Sequence, residues 1–260
     1  MTRHTARKRF GQHFLHDRSI IERIVATLDP KPGERVIEIG PGQGALTREL
    51  LARVAHLDAV ELDRDLVASL CTRFPSDRLT LHQADALKFD FCRLAEPGHK
   101  LRLVGNLPYN ISTPLLFHVL EQSNCIRDML FMLQKEVVDR LSAAPGRKDF
   151  GRLSVMIQYR CAVEKMFSVP PGSFKPVPRV DSAVVRLTPH AAPPVAVNDP
   201  ERFAAVVRAA FASRRKTLRN NLKGLLSPEQ MISLGIDPIR RAETLTLAEF
   251  AALSNTVLTP

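Results

Sequence analysis

Asn106-Leu107-Pro108-Tyr109 brings a carboxamide, a stiff proline and an aromatic ring together. The set suits chemistry on an exocyclic amine attached to a flat ring. The lone pair of such an amine is delocalised into the ring, so its nitrogen is a poor nucleophile. Two acceptors, the Asn106 side-chain oxygen and the Leu107 carbonyl, stand ready to hold its two hydrogens and localise that pair. Pro108 stiffens the turn, and Tyr109 offers a face on which the ring stacks. A plain β-turn accounts for the same residues, because Asn and Pro favour turns. The apolar run Leu101-Arg102-Leu103-Val104-Gly105 just before it reads as a buried strand. The tetrapeptide therefore falls at a strand's carboxyl end, where open α/β sheets hold their ligands.

A second motif lies upstream. Arg35-Val36-Ile37-Glu38-Ile39 is a β-branched strand pattern, and Ala45 to Leu51 has helical spacing. Between them, Gly40, Gly42 and Gly44 permit a tight turn and close backbone approach to a ligand. The spacing is G-x-G-x-G, which differs from the G-x-G-x-x-G of dinucleotide binders. The next strand, His56 to Glu61, ends in an acid about twenty residues beyond the loop, the offset at which a carboxylate meets ribose hydroxyls. Asp63 is placed to cap the helix that follows. After the strand Leu79 to His82, Asp85 either accepts from an adenine amine or caps a turn.

These motifs together resemble the S-adenosylmethionine-dependent adenine-N6 methyltransferases. The opening Phe10-Gly11-Gln12-His13-Phe14-Leu15 resembles the N-terminal motif of one branch, the ribosomal RNA adenine dimethyltransferases. Within that branch, Leu107 and the tail Arg214 to Leu222 are similar to the bacterial small-subunit enzymes. The likeness spans nearly the whole chain. It implies S-adenosylmethionine as cofactor, with contacts from Gln12, His13, Leu15, Gly40, Gly42, Gly44, Glu61, Leu62, Asp85, Ala86 and Asn106. It implies catalytic roles for Asn106, Leu107, Pro108 and Tyr109, and an aromatic wall from Phe174 opposite Tyr109. Read from sequence alone, Phe174 is better explained as a plug packing its proline-rich loop onto the core; the resemblance reverses that preference. The implied substrate is a pair of adjacent adenosines near the 3′ end of small-subunit rRNA, each methylated twice. One departure stands out: family members commonly carry Asn where this chain has His13.

The elements that must position these groups follow an α/β pattern. Ser19 to Leu28 has helical spacing and stops before Pro30. Strands and helices then alternate to about residue 145, the pattern of a doubly wound, mostly parallel sheet. Met129 to Leu133 is a further buried strand, Gln134 to Leu141 a helix, and Ser112 and Thr113 cap a helix over Pro114 to Glu121. Leu153 to Val163 is mixed in period. Ser182 to Leu187 is a strand, and Thr188 to Pro200, rich in Pro and Ala, reads as a linker. A methyltransferase domain over residues 1–188 and a helical RNA-substrate domain over 200–260 are expected. The resemblance adds a seven-stranded sheet with one antiparallel edge strand.

A net charge of +10 and a pI of about 9.9 favour a polyanionic partner. The charge clusters, with Arg7, Lys8 and Arg9 near the N-terminus and Arg214, Arg215, Lys216, Arg219 and Lys223 in the tail. An aromatic content of 6% without tryptophan argues against a large stacking platform for single strands. Folded RNA recognised by shape and phosphate fits better; joined to the resemblance, two basic patches far apart in sequence imply rRNA in a partly assembled subunit as the partner. No run is long enough to span a bilayer, and Met1 to Arg9 has no apolar h-region, so a cytoplasmic location is expected; a monomer is expected as well. Cys71, Cys92, Cys125 and Cys161 form no C-x-x-C pair and read as reduced thiols, and no metal site is expected.

Two other classes of function compete. Against a nucleotide-binding dehydrogenase stand the glycine spacing and the Asn106 turn. A non-catalytic nucleic-acid-binding relative would not need the intact Asn106 motif. Within the family, an antibiotic-resistance enzyme acting on large-subunit rRNA is disfavoured by Leu107 and the tail.

Overall fold

The computed structural model describes residues 12–256. Its chain divides into two compact units: the residues up to Val138 with Glu164–Pro189, and Asp139–Val163 with the residues from His190 onward. The segment Asp139–Val163 thus groups with the C-terminal helices, outside the 1–188 division drawn from sequence.

The first unit is built on a seven-stranded sheet. Its strands are β2 (Arg35–Ile39), β3 (Leu57–Glu61), β4 (Leu79–Gln83), β5 (Leu101–Asn106), β6 (Ile126–Gln134), β7 (Cys161–Val169) and β9 (Ser182–Pro189). They lie side by side in the order β4-β3-β2-β5-β6-β9-β7. Strands β2 to β6 pair in parallel, whereas β9 runs antiparallel to β6. The antiparallel strand is therefore not the edge strand expected. β7 lies outside it, and β9 fills an interior place. Helices α1 (Arg18–Leu28), α2 (Ala45–Leu51), α3 (Arg64–Arg73) and α4 (Ser112–Glu121) connect the strands.

The start and stop signals act as local chemistry dictates. Asp17 accepts from the backbone N–H groups of Ser19 and Ile20 and so caps α1, and Asp29 ends it in a left-handed conformation. Asp63 caps α3 through the Asp65 N–H. Ser112 does not cap α4 as expected: its hydroxyl turns back to donate to the Tyr109 carbonyl at 3.1 Å. Buried Ile21, Ile24, Val25, Leu50, Leu57 and Val104 form a continuous core between helices and sheet.

A separate two-stranded ribbon pairs β1 (Phe14–Leu15) with β8 (Phe174–Lys175), antiparallel. It carries the N-terminal motif to the proline-rich loop. The His16 N–H donates to the Ser173 carbonyl at 3.0 Å, and the Ser173 hydroxyl donates to Asp17 at 2.9 Å.

The second unit is helical: α6 (Arg152–Arg160), α7 (Pro200–Ala210), the single turn α8 (Leu218–Asn221), α9 (Pro228–Ser233) and α10 (Leu247–Thr256). α5 (Lys135–Leu141) runs across the division. The mixed period of Leu153 to Val163 resolves as nearly all of α6 joined directly to β7 at Cys161. Phe203, Val206, Val207, Leu218, Met231 and Phe250 form this unit's own core.

The cysteines differ from expectation. Cys92 and Cys125 form a disulfide, with their Cα atoms 5.5 Å apart. Cys71 is exposed and Cys161 buried; burial pushes the Cys161 thiol up to about 12.

Candidate functional site

The carboxyl ends of β2, β3, β4 and β5 converge on a cavity of about 220 Å³ in the first unit. Its walls include Gln12, His13, Leu15, Gly40, Gly42, Glu61, Leu62, Asp85, Ala86 and the whole Asn106 to Tyr109 turn. Segments as distant as Gln12 and Tyr109 thus meet in one place.

Gly40, Gly42 and Gly44 all hold positive φ, at 69°, 55° and 74°, a region costly for other L-residues. The Gly40 N–H donates to the Val60 carbonyl at 2.9 Å and the Gly44 N–H to the Pro41 carbonyl at 2.8 Å. Gly44, however, does not line the cavity. It opens α2, and a Cβ there would lie 2.8 Å from Leu70 Cδ2 and 2.9 Å from Phe74. Its role is close packing against α3.

Glu61 ends β3 with its carboxylate held by two backbone donors. Its Oε2 accepts from the Gly42 N–H at 3.2 Å and its Oε1 from the Asp63 N–H at 2.9 Å. Burial raises its pKa, and those hydrogen bonds pull it back. Each oxygen keeps a further lone pair for a hydroxyl donor. Gln12 Nε2 reaches Asp63 Oδ2 at 3.4 Å, tying the N-terminal motif to the start of α3. Leu62 is half-exposed (50%), which leaves an apolar side chain free to cover a flat ring. Asp85 accepts from the Leu87 N–H at 3.0 Å and so does cap a turn, while still lining the cavity. These donors, acceptors and apolar walls fit a nucleoside carrying a ribose and a flat base.

The Asn106 turn has a definite polarity. Asn106 Nδ2 donates to the His13 carbonyl at 2.8 Å. A carbonyl only accepts, so the amide is fixed with Nδ2 on that side. Among the described residues, no donor reaches Asn106 Oδ1 or the Leu107 carbonyl. The Leu107 N–H is held by the Met132 carbonyl at 3.1 Å, and the Pro108 carbonyl accepts from Ile111 at 3.2 Å. The two atoms the sequence singled out are thus the two left open. Tyr109 is pinned through its hydroxyl, 2.6 Å from Ser182 Oγ, and burial raises its pKa.

Phe174 is placed differently. It is 1% exposed, pairs across from Leu15 in the ribbon, belongs to the core and does not line the cavity. The core-plug reading describes it. Arg7, Lys8 and Arg9 lie outside the described residues. Arg214, Arg215, Lys216, Arg219 and Lys223 are all exposed in the second unit, where Arg214 donates to the Lys148 carbonyl. No group of three or more His, Cys, Asp or Glu able to hold a metal occurs among the described residues. No described helix is long and apolar enough to cross a membrane.

Sequence reasoning missed Glu38 as a site residue. It lies on β2, lines the cavity and is buried, with its Oε2 accepting from the Thr47 hydroxyl at 2.6 Å. Desolvation first, and nearby Glu61 second, push its pKa up to about 8 against the pull of Thr47. The available signal was a carboxylate inside a β-branched run, where a charge is costly without a purpose.

The family model for ribosomal RNA adenine dimethylase matches residues 3–258. The chain belongs to the ribosomal RNA adenine dimethylase family. Relatives bear the name ribosomal RNA small subunit methyltransferase A. The one from Pseudomonas aeruginosa is 58% identical over 97% of this chain and 94% of its own. The one from Thiobacillus denitrificans is 58% identical over 96% and 97%. Among solved structures, the 23S rRNA methyltransferase ErmE superposes with a TM-score of 0.73 at 28% identity, covering 94% of this chain and 99% of its own. A dimethyladenosine transferase from Plasmodium falciparum gives a TM-score of 0.78 at 24% identity, covering 93% and 96%, and supports the fold. The doubly wound, Rossmann-like architecture of this dimethylase is thus shared with rRNA methyltransferases. The dehydrogenase alternative is excluded.

Proposed function

We propose that this dimethylase methylates N6 of two adjacent adenosines near the 3′ end of small-subunit rRNA, twice each, using S-adenosylmethionine during subunit assembly. The observation that carries the chemistry is the pair of open acceptors, Asn106 Oδ1 and the Leu107 carbonyl, at the cofactor cavity. In the first transfer each accepts a hydrogen bond from one N–H of the adenine amine, and in the second one of them holds the single N–H that remains. The nitrogen lone pair then leaves conjugation with the ring and points along one direction. Tyr109, held by Ser182, stacks on the extruded base.

S-adenosylmethionine, when bound, supplies an electrophilic methyl group, so the chain's residues have only to align the nitrogen with it and exclude water. Glu61 holds the ribose hydroxyls, Leu62 covers the adenine, and the Gly40–Gly42 backbone gives close approach. Asp85 and Ala86 bound the adenine end, and Gln12, His13 and Leu15 close the other side. The exposed tail cations, together with Arg7 to Arg9, meet the phosphates of a partly assembled subunit. A cytoplasmic monomer fits this role.

Incubation with labelled S-adenosylmethionine and separated unmethylated small and large subunits, followed by mapping of the modified base, tests the reading. Label on the small subunit, as N6,N6-dimethyladenosine, is expected. Label confined to the large subunit overturns the assignment in favour of an activity like that named for ErmE.

A further inference from the structure

Outside the cavity, one covalent bond joins two segments that lead to its walls. Cys92 lies shortly beyond Leu87, where the stretch Asp85 to Leu87 leaves the cavity. Cys125 follows α4, the helix that opens just after the cavity-lining Asn110 and Ile111. The Cys92–Cys125 bond closes a covalent loop with a sequence separation of 33. β5, the Asn106 to Tyr109 turn and α4 all lie inside that loop.

Gln122 holds the two segments together without help from sulfur. Its Oε1 accepts from the Phe91 N–H at 2.6 Å and the Cys92 N–H at 3.3 Å, and its Nε2 donates to the Phe89 carbonyl at 3.1 Å. Phe91 is fully buried, its ring centroid 5.0 Å from that of Phe89. The cysteines therefore stay within reach of each other in either redox state. Acceptors for two thiols are also in place. The Gln122 carbonyl lies 3.2 Å from Cys125 Sγ, and Asn124 Oδ1 lies 3.5 Å from Cys92 Sγ. Both cysteines are half-buried, within reach of a small thiol, whereas Cys161 is sealed in the interior.

We propose that Cys92 and Cys125 are a reversible dithiol–disulfide site that sets how firmly the Asp85 to Leu87 wall is held, and so how tightly S-adenosylmethionine binds. The inference rests on the cofactor reading of the cavity. The reductant is a low-molecular-weight thiol of the glutathione class. Its thiolate attacks one sulfur, the S–S bond breaks, and the other sulfur leaves as a thiolate and takes up a proton. A second thiol molecule displaces the first sulfur and yields the small disulfide, so two electrons and two protons pass to the pair. Oxidation is the same exchange run backwards. In the oxidised state the far end of the wall is tethered beside α4. In the reduced state the Gln122 hydrogen bonds and local packing alone hold it, and it opens part of the time. Apparent cofactor affinity falls with the fraction of time spent open. A disulfide facing a reducing thiol pool is transient, which suits a sensor of that pool better than a permanent staple.

The test equilibrates the full-length wild type with glutathione and glutathione disulfide at a series of ratios. Alkylation after denaturation, read by mass spectrometry, should count four thiols at the reducing end and two at the oxidising end, with Cys92 and Cys125 the pair that disappears. The melting temperature should fall by about 5–10 °C on reduction, the order expected for opening a loop of this length. Calorimetry should find S-adenosylmethionine bound about three-fold or more weaker by the reduced protein. Cys92→Ser combined with Cys125→Ser should bind like the reduced wild type and ignore the glutathione ratio; the two wild-type states give the comparison without it. A pair that never oxidises, or never reduces in the native protein, overturns the inference. So does a melting temperature that falls while cofactor affinity stays the same, which is a staple and no more. A wild type that binds no S-adenosylmethionine in either state overturns the cofactor reading of the cavity, and this inference with it.

Discussion

Glu38 is a carboxyl kept where its charge is unwelcome. Its folded pKa of about 8 lies above the ordinary 4.5. For an acid shifted upward, the folded state binds the proton more tightly than the unfolded chain. Its contribution is fully present below about pH 4.5 and is lost as pH rises towards 8. The cofactor-free protein should therefore lose stability across that window, at up to about 1.4 kcal/mol per pH unit. Glu38→Gln, which still accepts from Thr47, should flatten the profile; chemical denaturation at a series of pH values measures the difference. Glu61→Ala removes both acceptors for the ribose. Cofactor binding should weaken by about 1.5–3 kcal/mol, the range for hydrogen bonds to a charged group. Calorimetry that finds unchanged affinity would remove Glu61 from the site. Asn106→Ala should abolish most methylation at saturating cofactor while the melting temperature stays near wild type; turnover close to normal would sink the amine-orienting role. These residues were legible because chemistry and spacing coincide at them. Glu38 was not, because its burial is made by neighbouring strands. The burial of Phe174 was hard to read for a related reason: Leu15, which pairs with it across the ribbon, is distant in sequence.

At the scale of elements, the site depends on how closely β5 approaches β2. A Cβ on Gly105 would lie 2.3 Å from the Ile39 carbonyl oxygen. Both parties are backbone in adjacent strands, so neither moves aside cheaply. Gly105→Ala should destabilise by at least the 1–3 kcal/mol typical of overpacking and weaken cofactor binding. Gly33 provides the contrast. It has a φ of 85° with no atom within 4 Å of an added Cβ. Gly33→Ala should cost only the left-handed conformation, about 1–2 kcal/mol, without touching the cofactor. Urea denaturation of the two variants side by side checks the ordering. The bounds of β2 and α2 were readable to the residue, since a β-branched run, a glycine loop and a helical face follow one another without ambiguity. The place of β9 was not, because strand order is a property of the finished sheet. The Cys92–Cys125 bond was equally hidden. The two cysteines meet only through folding of the loops at Phe91 and Gln122, where Gln122 Oε1 accepts from the Phe91 N–H at 2.6 Å.

At the scale of the whole molecule, the positive charge has a readable consequence. Replacing Arg214, Arg215 and Lys216 together by Glu should weaken binding to unmethylated small subunits. The log–log salt slope should flatten by about 2–3, close to one unit for each phosphate no longer neutralised. Cofactor affinity should not change. A salt slope equal to wild type would reduce the tail to a solvated face. Composition announced this surface, whereas the grouping of Asp139–Val163 with the C-terminal helices came from packing that local sequence does not encode. The interior position of β9 also governs how the protein is made. β9 is the last strand of the sheet to be synthesised, yet it lies between β6 and β7. While α5, α6, β7 and β8 are being translated, at about 5–20 residues per second, β6 has an unpaired ladder along a strand whose middle, Met129 to Leu133, is wholly apolar. Such an edge is a template for pairing with other chains. On the ribosome, β6 should remain open to proteases until residue 189 has emerged, and become resistant only then.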